Sequence, residues 1–488
     1  MGGELAGVRI RRHLWIAAQA ACLLAFVGYR IGAAASIGPA VWQDSEAYKA
    51  VARSGLLSTQ LWTGSRAPLV PLLMKVTGSY DAYGILQGVL GALAWAVLAY
   101  TVSQLVSASW RRPIVTAAVL GLGATPLVVM WDGSALSESP SLSVLALLCA
   151  SGIWLVRRFS WLRLAAVGVS ALAYCALRDA DIWTIGLIGV VLLGFGVAGA
   201  LQGLAVDPDG ARARLTQNLR RARRPLAAGC VLLVVALVTG GAASASHRNQ
   251  LYVEEAFAVR IFPYPDRVAW FASQGMPEAK AVDAQARTTS TSPGQAPIVS
   301  VDLTSPVWAP LRVWFQRDAV SSYTLYLATH PWYVLTAPFA SPRLTFNDAH
   351  GDLSGYTPDG YALAGWVGWL FTPNRFVELA VALSAVVVAF ARRTTRLMAW
   401  RFVALFGLVG LLSMLLAWHG EGQEVTRHMV EGNVEVRLGV LLALVVGLLA
   451  RRPAPEQGEA DGEPSDVADH DFASAPAEPM APVGTAAP

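Results

Sequence analysis

The sequence has few charged residues and few cysteines, and each shortage excludes a class of protein. Only 14% of the 488 residues are charged, whereas 55% are hydrophobic, and the mean hydropathy is +0.47. This balance is far from that of a soluble domain and predicts an all-α integral membrane protein. The four cysteines are widely separated without a CxxC pair, so neither a disulfide framework nor a zinc site is indicated. The net charge of +4 does not predict nucleic-acid binding, because the arginines occur in short runs between apolar segments, as membrane topology signals do.

Apolar runs long enough to cross a membrane recur along the chain. About 20 helical residues cover the hydrocarbon core of a bilayer, and about ten runs approach this length. The first run continues past Arg30 without a clear cleavage context, so we interpret it as a retained signal-anchor span rather than a cleaved signal peptide. The predicted spans are 14–36, 84–106, 113–131, 139–156, 161–177, 182–205, 225–245, 376–391, 401–418 and 435–450.

The arginine runs predict the orientation and the division of the chain. If the N-terminus is cytoplasmic, most runs fall on the inner side, so both termini are predicted to be cytoplasmic. Residues 1–245 then form an N-terminal membrane half with functional outer loops, and 246–375 form an extracytoplasmic loop. Residues 376–452 form the C-terminal spans, and 453–488, rich in Ala, Pro, Glu and Asp, form a disordered cytoplasmic tail.

The long outer loop is more apolar than a free loop would be. Segments such as HPWYVLTAPF are too short to span, yet they carry aromatic side chains suited to the headgroup region. We therefore predict helices that lie in the membrane interface, with a hidden pair of further spans as the alternative. The tryptophans on which this prediction depends are Trp314, Trp332, Trp366 and Trp369.

The predicted spans carry almost no charge at their centres. A central charge costs about 2.5 to 3.5 kcal/mol on insertion scales, so ion pathways usually show themselves as tolerated intramembrane Asp, Glu, Lys or Arg. The exceptions, such as Arg30 and Arg437, lie near span ends, where a long side chain reaches the interface. This distribution weighs against an ion-coupled transporter.

Two residues after the first span suit chemistry on a lipid-linked substrate. Such a substrate keeps its phosphate at the membrane surface, so a transferase needs a base for the acceptor hydroxyl and a cation for the departing phosphate. Asp44 in WQDSEAY suits the base, and Arg66 in SRAPLVPLL suits the phosphate contact. Each has a structural alternative, because Asp44 could cap a helix and Arg66 could anchor at the headgroups.

Three more candidates have equally plain alternatives. Glu138 in SALSESPSL could be a second acidic residue of the site or only the N-terminal residue of a helix. Arg427 and His428 in EVTRHMVEG could contact a phosphate or only form an interfacial pair on a helix face. None of these signals is specific by itself, and their order along the chain is more informative.

Four short motifs follow one another in the first 140 residues. Asp44 and Tyr48 follow the first span, RAPLVPLL comes at 66–73, LQG opens the next span at 86–88, and Ser-Glu opens another at 137–138. This order resembles the N-terminal half of the GT-C glycosyltransferases, in the branch with protein O-mannosyltransferases and the aminoarabinose transferase of lipid A. VAWFASQGMPE at 268–278 and EVTRH at 424–428 resemble actinobacterial cell-envelope members in particular.

The resemblance implies an activity and a set of site residues. It implies a GT-C-like helical enzyme that takes a sugar from a polyprenyl-phosphate donor on the extracytoplasmic face. The sugar would be transferred with inversion to a glycan, lipid or protein acceptor. Asp44 would be the essential acidic residue, assisted by Glu138 or Asp132, and in some members such residues bind a divalent metal such as Mg²⁺ or Mn²⁺. The donor phosphate would be held by Arg66, with Arg30, Arg427 and His428 as further candidates.

Two departures from the family pattern leave the substrate and the metal dependence open. The chain has Asp44, Ser45, Glu46 where the O-mannosyltransferase branch has an Asp-Glu dipeptide, and it lacks the large soluble C-terminal domain of some envelope arabinosyltransferases. Two other functions are therefore kept as hypotheses. A transporter or flippase for a lipid-linked glycan would depend on polar residues within the spans. A non-catalytic envelope assembly protein would tolerate single replacement of its outer carboxylates.

Overall fold

The chain is helical throughout the residues that the structure describes. This computed structural model describes 2–36, 38–106, 109–201, 211–246, 248–288, 298–299, 301–340, 381–386, 396–420 and 425–449. Within these ranges there is no strand, only one isolated bridge between Ala40 and Ser134. The all-α prediction is therefore confirmed.

Nineteen α-helices are numbered in chain order over the described residues, with short 3-10 and π segments between some of them. They are α1 Gly2–Ser36, α2 Gln43–Ala52, α3 Thr59–Thr63, α4 Leu69–Thr77, α5 Tyr80–Ser103, α6 Arg111–Gly123, α7 Pro126–Val129, α8 Glu138–Arg157, α9 Trp161–Leu177, α10 Asp181–Leu201, α11 Ala211–Ala245, α12 Asn249–Ala256, α13 Pro265–Ser273, α14 Ala279–Thr288, α15 Ala309–Arg317, α16 Ala319–Thr329, α17 Pro331–Ala340, α18 Arg396–Gly420 and α19 Val425–Leu444.

Five of these helices are long and apolar enough to cross a membrane by length and composition, namely parts of α1, α5, α8, α10 and α11. A sixth is obtained if α6, α7 and the 3-10 turn after them count as one bent span. The chain is therefore a multi-pass membrane protein. The ten predicted spans are not confirmed, since α9 and the end of α18 are shorter apolar helices and 376–391 lies largely outside the described residues.

A bend of 56° interrupts the predicted span 113–131 between α6 and α7. Pro126 begins α7, has no N–H to donate and disfavours helical backbone at the residue before it. Thr125 is accordingly extended, with φ −64° and ψ 150°. Its hydroxyl donates to the carbonyl oxygen of Leu122 at 2.7 Å. The bend directs α7 and the turn after it toward the functional side chains described below.

The C-terminal helices α18 and α19 pack closely through glycine. A Cβ added to Gly432 would lie 2.9 Å from the carbonyl oxygen of Gly410, so a larger residue would push the helices apart. Helix α19 begins at Val425, whereas the sequence placed the residues before 435 in an outer loop. Several polar side chains of its first turns are therefore buried among helices, and those are Arg427, Glu431, Asn433 and Glu435.

The described residues of 38–79, 130–137, 248–288, 298–299 and 301–340 are together called the loop end of the bundle. Arg248 Nη1 donates to the carbonyl oxygen of Gly64 at 3.3 Å. The amide of Ala40 donates to the carbonyl oxygen of Gly133 at 2.7 Å. The part of the loop end after residue 248 has its own aromatic core, which includes Phe257, Phe271, Trp314, Phe315 and Tyr323.

The predicted interfacial tryptophans do not share one environment. Trp314 is buried in this aromatic core, where its ring contacts Phe257 and Phe315, so its prediction as an interfacial anchor is wrong. Trp332 on α17 is 76% exposed. Trp366, Trp369, the hidden pair of spans and the tail 453–488 lie outside the described residues.

Candidate functional site

Four predicted site residues form one chain of ion pairs at the loop end, here called the Asp44 cluster. Arg66 Nη2 donates to Asp44 Oδ1 at 2.6 Å, and Arg427 Nη1 donates to Asp44 Oδ2 at 3.0 Å. Arg427 Nε donates to Glu138 Oε1 at 2.6 Å. The cluster therefore joins the segment after the first membrane helix to α8 and α19, across 383 positions of sequence between Asp44 and Arg427.

The side chain of Asp44 does not cap its helix. Asp44 lies in the first turn of α2, whose N-cap is Trp42. The amide of Trp42 donates to Ser45 Oγ at 3.0 Å, so Ser45 supplies the hydrogen bond that closes this end of the helix. Both carboxylate oxygens of Asp44 accept from arginines instead. The N-cap interpretation of Asp44 therefore does not hold, although the helix dipole still favours its negative charge.

Glu138 begins α8, as its structural alternative predicted, and it also binds Arg427. Its position follows from the turn at 130–137, whose carbonyl oxygens are held by side chains of α5. Tyr83 Oη donates to the carbonyl oxygen of Leu136 at 2.8 Å, and Gln87 Nε2 donates to that of Ser134 at 2.9 Å. Because these contacts are buried, they fix the turn and hence the start of α8.

The Asp44 cluster runs from a buried end to a half-buried end. The side chains of Arg427 and Glu138 are 3% and 2% exposed, whereas those of Arg66 and Asp44 are 25% and 28% exposed. Glu138 Oε2 is buried and has no hydrogen-bond partner among the described residues. Asp44 and Arg66 can thus contact a ligand directly, whereas Arg427 and Glu138 form the buried end of the cluster.

Asp44 is ionised in this arrangement. Partial burial raises the pKa of its carboxyl, but the guanidiniums of Arg66 and Arg427 lower it by more, so the pKa lies below the ordinary value for aspartate. A carboxylate held by two cations is a weak base. Asp44 becomes a stronger base only when one or both guanidiniums turn to another anion.

Arg30 and Asp132 form a second ion pair that is completely buried. Arg30 Nε and Nη2 donate to Asp132 at 2.7 and 2.9 Å, and both side chains are fully inaccessible. Ser139 Oγ makes a short hydrogen bond to the same carboxylate. The structure therefore places Arg30 with Asp132 and not with the Asp44 cluster, to which the pair is linked through the chain from Ser139 to Glu138.

The three carboxylates predicted as possible metal ligands do not fit a divalent cation. Such an ion needs several oxygen ligands around one point, but Asp132 is paired with Arg30 while Asp44 and Glu138 bind Arg427. No group of three or more His, Cys, Asp or Glu side chains in the described part of the chain is arranged to hold a metal ion.

A carboxylate network next to the cluster was not predicted from the sequence. Glu431 on α19 accepts hydrogen bonds from Ser141, from Arg178 and, at short range, from Tyr174. Ser141 Oγ also lies 3.2 Å from Asp181 Oδ2. Ser141 thus lies between the carboxylates of Asp181 and Glu431.

A signal for this network exists in the sequence. Glu431 lies four residues after Arg427, so the two side chains share a face of α19. Asp181 opens an apolar helix, a position where a carboxylate is costly unless it is partnered. The sequence does not predict the rotation of α19 about its axis, which brings Glu431 into contact with Tyr174.

His428 contacts Arg178, a residue of the carboxylate network. Its Nδ1 lies 2.5 Å from Arg178 Nη2. His428, Arg178, Asp181 and Glu431 line a cavity of about 190 Å³, whose other walls include Thr184 of α10 and apolar residues of α18. The predicted phosphate candidates are thus divided, with Arg66 and Arg427 in the Asp44 cluster, Arg30 in a closed pair and His428 beside the cavity.

The fold and this arrangement define a multi-pass helical membrane protein with a charged cluster where its helices end. No protein-family model, curated protein or solved structure matches the chain. The function is therefore argued from the Asp44 cluster itself, together with the motif order described above.

Proposed function

We propose that the protein is a polyprenyl-phosphate-dependent glycosyltransferase of the GT-C type, acting on the extracytoplasmic face of the membrane. The observation that carries the proposal is the convergence of Asp44, Arg66, Glu138 and Arg427, four residues selected from the sequence, on one hydrogen-bonded cluster. The proposed acceptor is an envelope glycan, lipid or protein.

The donor phosphate would bind where Asp44 now binds. Guanidinium groups form forked hydrogen bonds with phosphate as readily as with carboxylate. A phosphate that reaches the half-exposed Arg66 would compete with Asp44 for that guanidinium, and then for Arg427. Glu138 would keep Arg427 oriented during this exchange, because it holds Nε whereas Asp44 is held by Nη1.

The exchange would also make the carboxylate of Asp44 a stronger base. Once its cationic partners turn to the phosphate, the pKa of Asp44 rises and its carboxylate accepts a proton more readily. The acceptor oxygen then attacks the anomeric carbon, its proton passes to Asp44, and the bond from that carbon to the phosphate oxygen breaks with inversion. The polyprenyl phosphate leaves with its new charge neutralised by the two arginines.

The test is transfer by the Asp44→Asn variant. Vesicles carrying the protein are supplied with a panel of radiolabelled polyprenyl-phosphate sugars, and label in envelope products is measured. Loss of the base should lower transfer by at least about 100-fold while membrane insertion is retained. Glu46→Asn is the matched control, since Glu46 is an exposed carboxylate on the same helix and accepts a hydrogen bond from Tyr80 rather than from an arginine of the Asp44 cluster. Full transfer by Asp44→Asn would contradict the proposal, and so would a lack of transfer from every donor by the unmodified protein.

The carboxylate network favours a second candidate, a transporter for a lipid-linked glycan. Buried carboxylates between membrane helices often mark proton pathways, and Asp181, Glu431 and Glu435 are all buried. This burial removes part of the sequence argument against ion-coupled transport, because that argument placed Glu431 in a loop. A transporter would lose translocation of a fluorescent lipid-linked glycan in Asp181→Asn and Glu431→Gln vesicles, and would keep it in Asp44→Asn vesicles.

A further inference from the structure

Two arginines at the loop end have no carboxylate partner among the described residues. Arg260 lies in the π-helical segment Phe257–Ile261, and Arg267 lies on α13. Neither takes part in an ion pair of the described chain, in contrast to Arg30, Arg66 and Arg427. Charged groups are rarely buried without a counter-charge, so this pair needs an explanation.

Arg260 is the more buried of the two arginines, with only 8% of its surface exposed. Its guanidinium carbon lies 4.0 Å from the centre of the Trp418 ring, which is a cation–π contact. Its Nε is buried without a hydrogen-bond partner among the described residues. Burial accordingly lowers the pKa of Arg260, against a smaller opposing influence of nearby tyrosines.

Arg267 lies next to Arg260 rather than away from it. Its Nη1 donates to the carbonyl oxygen of Arg260 at short range and to Tyr333 Oη at 3.4 Å. Its guanidinium also lies over the rings of Tyr264 and Tyr333, at 3.8 and 4.6 Å from their centres. The guanidiniums of Arg260 and Arg267 are thus both packed against aromatic rings, although two like charges repel each other.

His419 adds to the group a second buried polar atom that has no hydrogen-bond partner among the described residues. Its Nε2 donates to the carbonyl oxygen of Val334 at 3.0 Å, which leaves Nδ1 as an acceptor, buried and without a hydrogen bond. Its ring centre lies 5.1 Å from that of Tyr333, the same ring that Arg267 covers. Donors on two arginines and an acceptor on a histidine match a group that offers both anionic oxygens and a hydroxyl proton.

The π-helical geometry of this segment is a second local departure from regular structure. The amide of Phe262 donates to the carbonyl oxygen of Phe257 at 2.8 Å, which is the i to i+5 bond of a π-helix. Such single turns are frequent at functional sites. Here the π-helical turn carries Arg260.

We propose that Arg260, Arg267 and His419 form a second anion site, here called the arginine site, which binds a phosphate group at the loop end. The phosphate belongs either to a lipid headgroup or to a soluble phosphorylated molecule, since both present the same oxygens to the arginines. The arginine site shares no contact with the Asp44 cluster among the described residues. Its existence does not depend on glycosyl transfer, so the two proposals fail or hold separately.

The test measures phosphate binding directly on the full chain. The protein is placed in phosphatidylcholine nanodiscs, inorganic phosphate is titrated, and binding is followed by calorimetry and by the unfolding temperature, which rises when a ligand binds only the folded state. A second set of nanodiscs contains phosphatidylglycerol. Binding of inorganic phosphate indicates a soluble source, and a rise in unfolding temperature confined to the phosphatidylglycerol discs indicates a lipid headgroup.

The variants decide whether the arginine site is responsible. Arg260→Gln should weaken binding by about tenfold, as expected for loss of a hydrogen bond to a charged group, and Arg260→Lys should recover part of it. Arg317→Gln is the control with the same charge change, because Arg317 is 76% exposed and pairs with Asp318. If Arg260→Gln does not fold, Arg267→Gln, at a half-buried position, replaces it in the comparison.

Two results would overturn this proposal. One is binding by Arg260→Gln and Arg267→Gln that equals that of the unmodified protein in both kinds of nanodisc. The other is complete loss of phosphate binding in Arg66→Gln, which would assign all binding to the Asp44 cluster. Loss of sugar transfer in Asp44→Asn with unchanged phosphate binding at Arg260 would support both proposals independently.

Discussion

Two ion-pair systems at the loop end use the same chemistry in opposite surroundings. The pair of Arg30 and Asp132 is sealed, with both side chains inaccessible and a second hydrogen bond to the carboxylate from Ser139. The Asp44 cluster is open, with Asp44 and Arg66 each about one quarter exposed. A sealed pair cannot exchange partners without unfolding its surroundings, whereas an open pair can pass a guanidinium to a ligand. The Asp44 cluster therefore differs from the structural Arg30–Asp132 pair in having one accessible end, at Asp44 and Arg66.

Breaking the sealed pair should give the largest effect on stability. Arg30→Met leaves Asp132 buried without its cation, which costs about 3 to 5 kcal/mol of unfolding free energy for pairs of this kind. Thermal unfolding of the purified protein in nanodiscs would measure it. Arg317→Gln, which breaks an exposed pair, should cost no more than about 1 kcal/mol. Equal losses in the two variants would contradict the distinction between sealed and open pairs.

The two arginines of the Asp44 cluster should differ although they bind the same carboxylate. Arg427→Gln removes the only cation that contacts the buried Glu138 in the described residues and should cost about 3 kcal/mol. Arg66→Gln removes a half-exposed partner and should cost no more than about 1 kcal/mol. The unfolding temperatures of both variants provide the measurement. If Arg66→Gln were the more destabilising, the gradient of burial along the cluster would not govern its energetics.

A smaller effect should follow from filling the space beside Arg30. A Cβ added to Gly91 would lie 2.3 Å from the Arg30 guanidinium, so Gly91→Ala should cost about 1 to 3 kcal/mol through overpacking. Gly152 on α8 is the matched control, since nothing lies within 4 Å of its added Cβ. Gly152→Ala should be neutral or stabilising by up to about 1 kcal/mol, because alanine favours helix over glycine. If Gly91→Ala left the free energy of unfolding unchanged, the Arg30–Asp132 pair would be able to shift more easily than its burial indicates.

The members of the Asp44 cluster were predictable from the sequence, but their contacts were not. Asp44, Arg66, Glu138 and Arg427 stood out because each follows or opens an apolar run, and such positions bring residues to the same membrane face. That reasoning predicts how deep a residue lies along the membrane normal. It does not predict how its helix is rotated about the helix axis, and therefore which neighbours the side chain contacts. Arg30 therefore seemed a phosphate candidate, although the packing of α1 against α5 turns it into the bundle.

The fold was predictable to a similar degree. Hydropathy identifies apolar composition, so the all-α membrane class followed at once. Hydropathy does not predict a bend such as the one before Pro126. It also does not predict that α19 begins at Val425, because the first turns of this helix are polar and are buried by neighbouring helices. Glu431 and Trp314 were misplaced for the same reason, since tertiary packing buried one polar and one amphipathic side chain.

The most direct test of the open cluster is the affinity of a short prenyl phosphate, such as farnesyl phosphate, for the Asp44→Asn variant. If the phosphate takes the guanidiniums that Asp44 now holds, removal of this competitor should tighten binding by about tenfold, the value of one hydrogen bond to a charged group. Glu46→Asn makes the same change in net charge on the same helix and should leave the affinity unchanged. The arginine site is untouched by either change. Unchanged or weaker binding by Asp44→Asn would contradict the account, because Asp44 would then not compete with phosphate for Arg66 and Arg427.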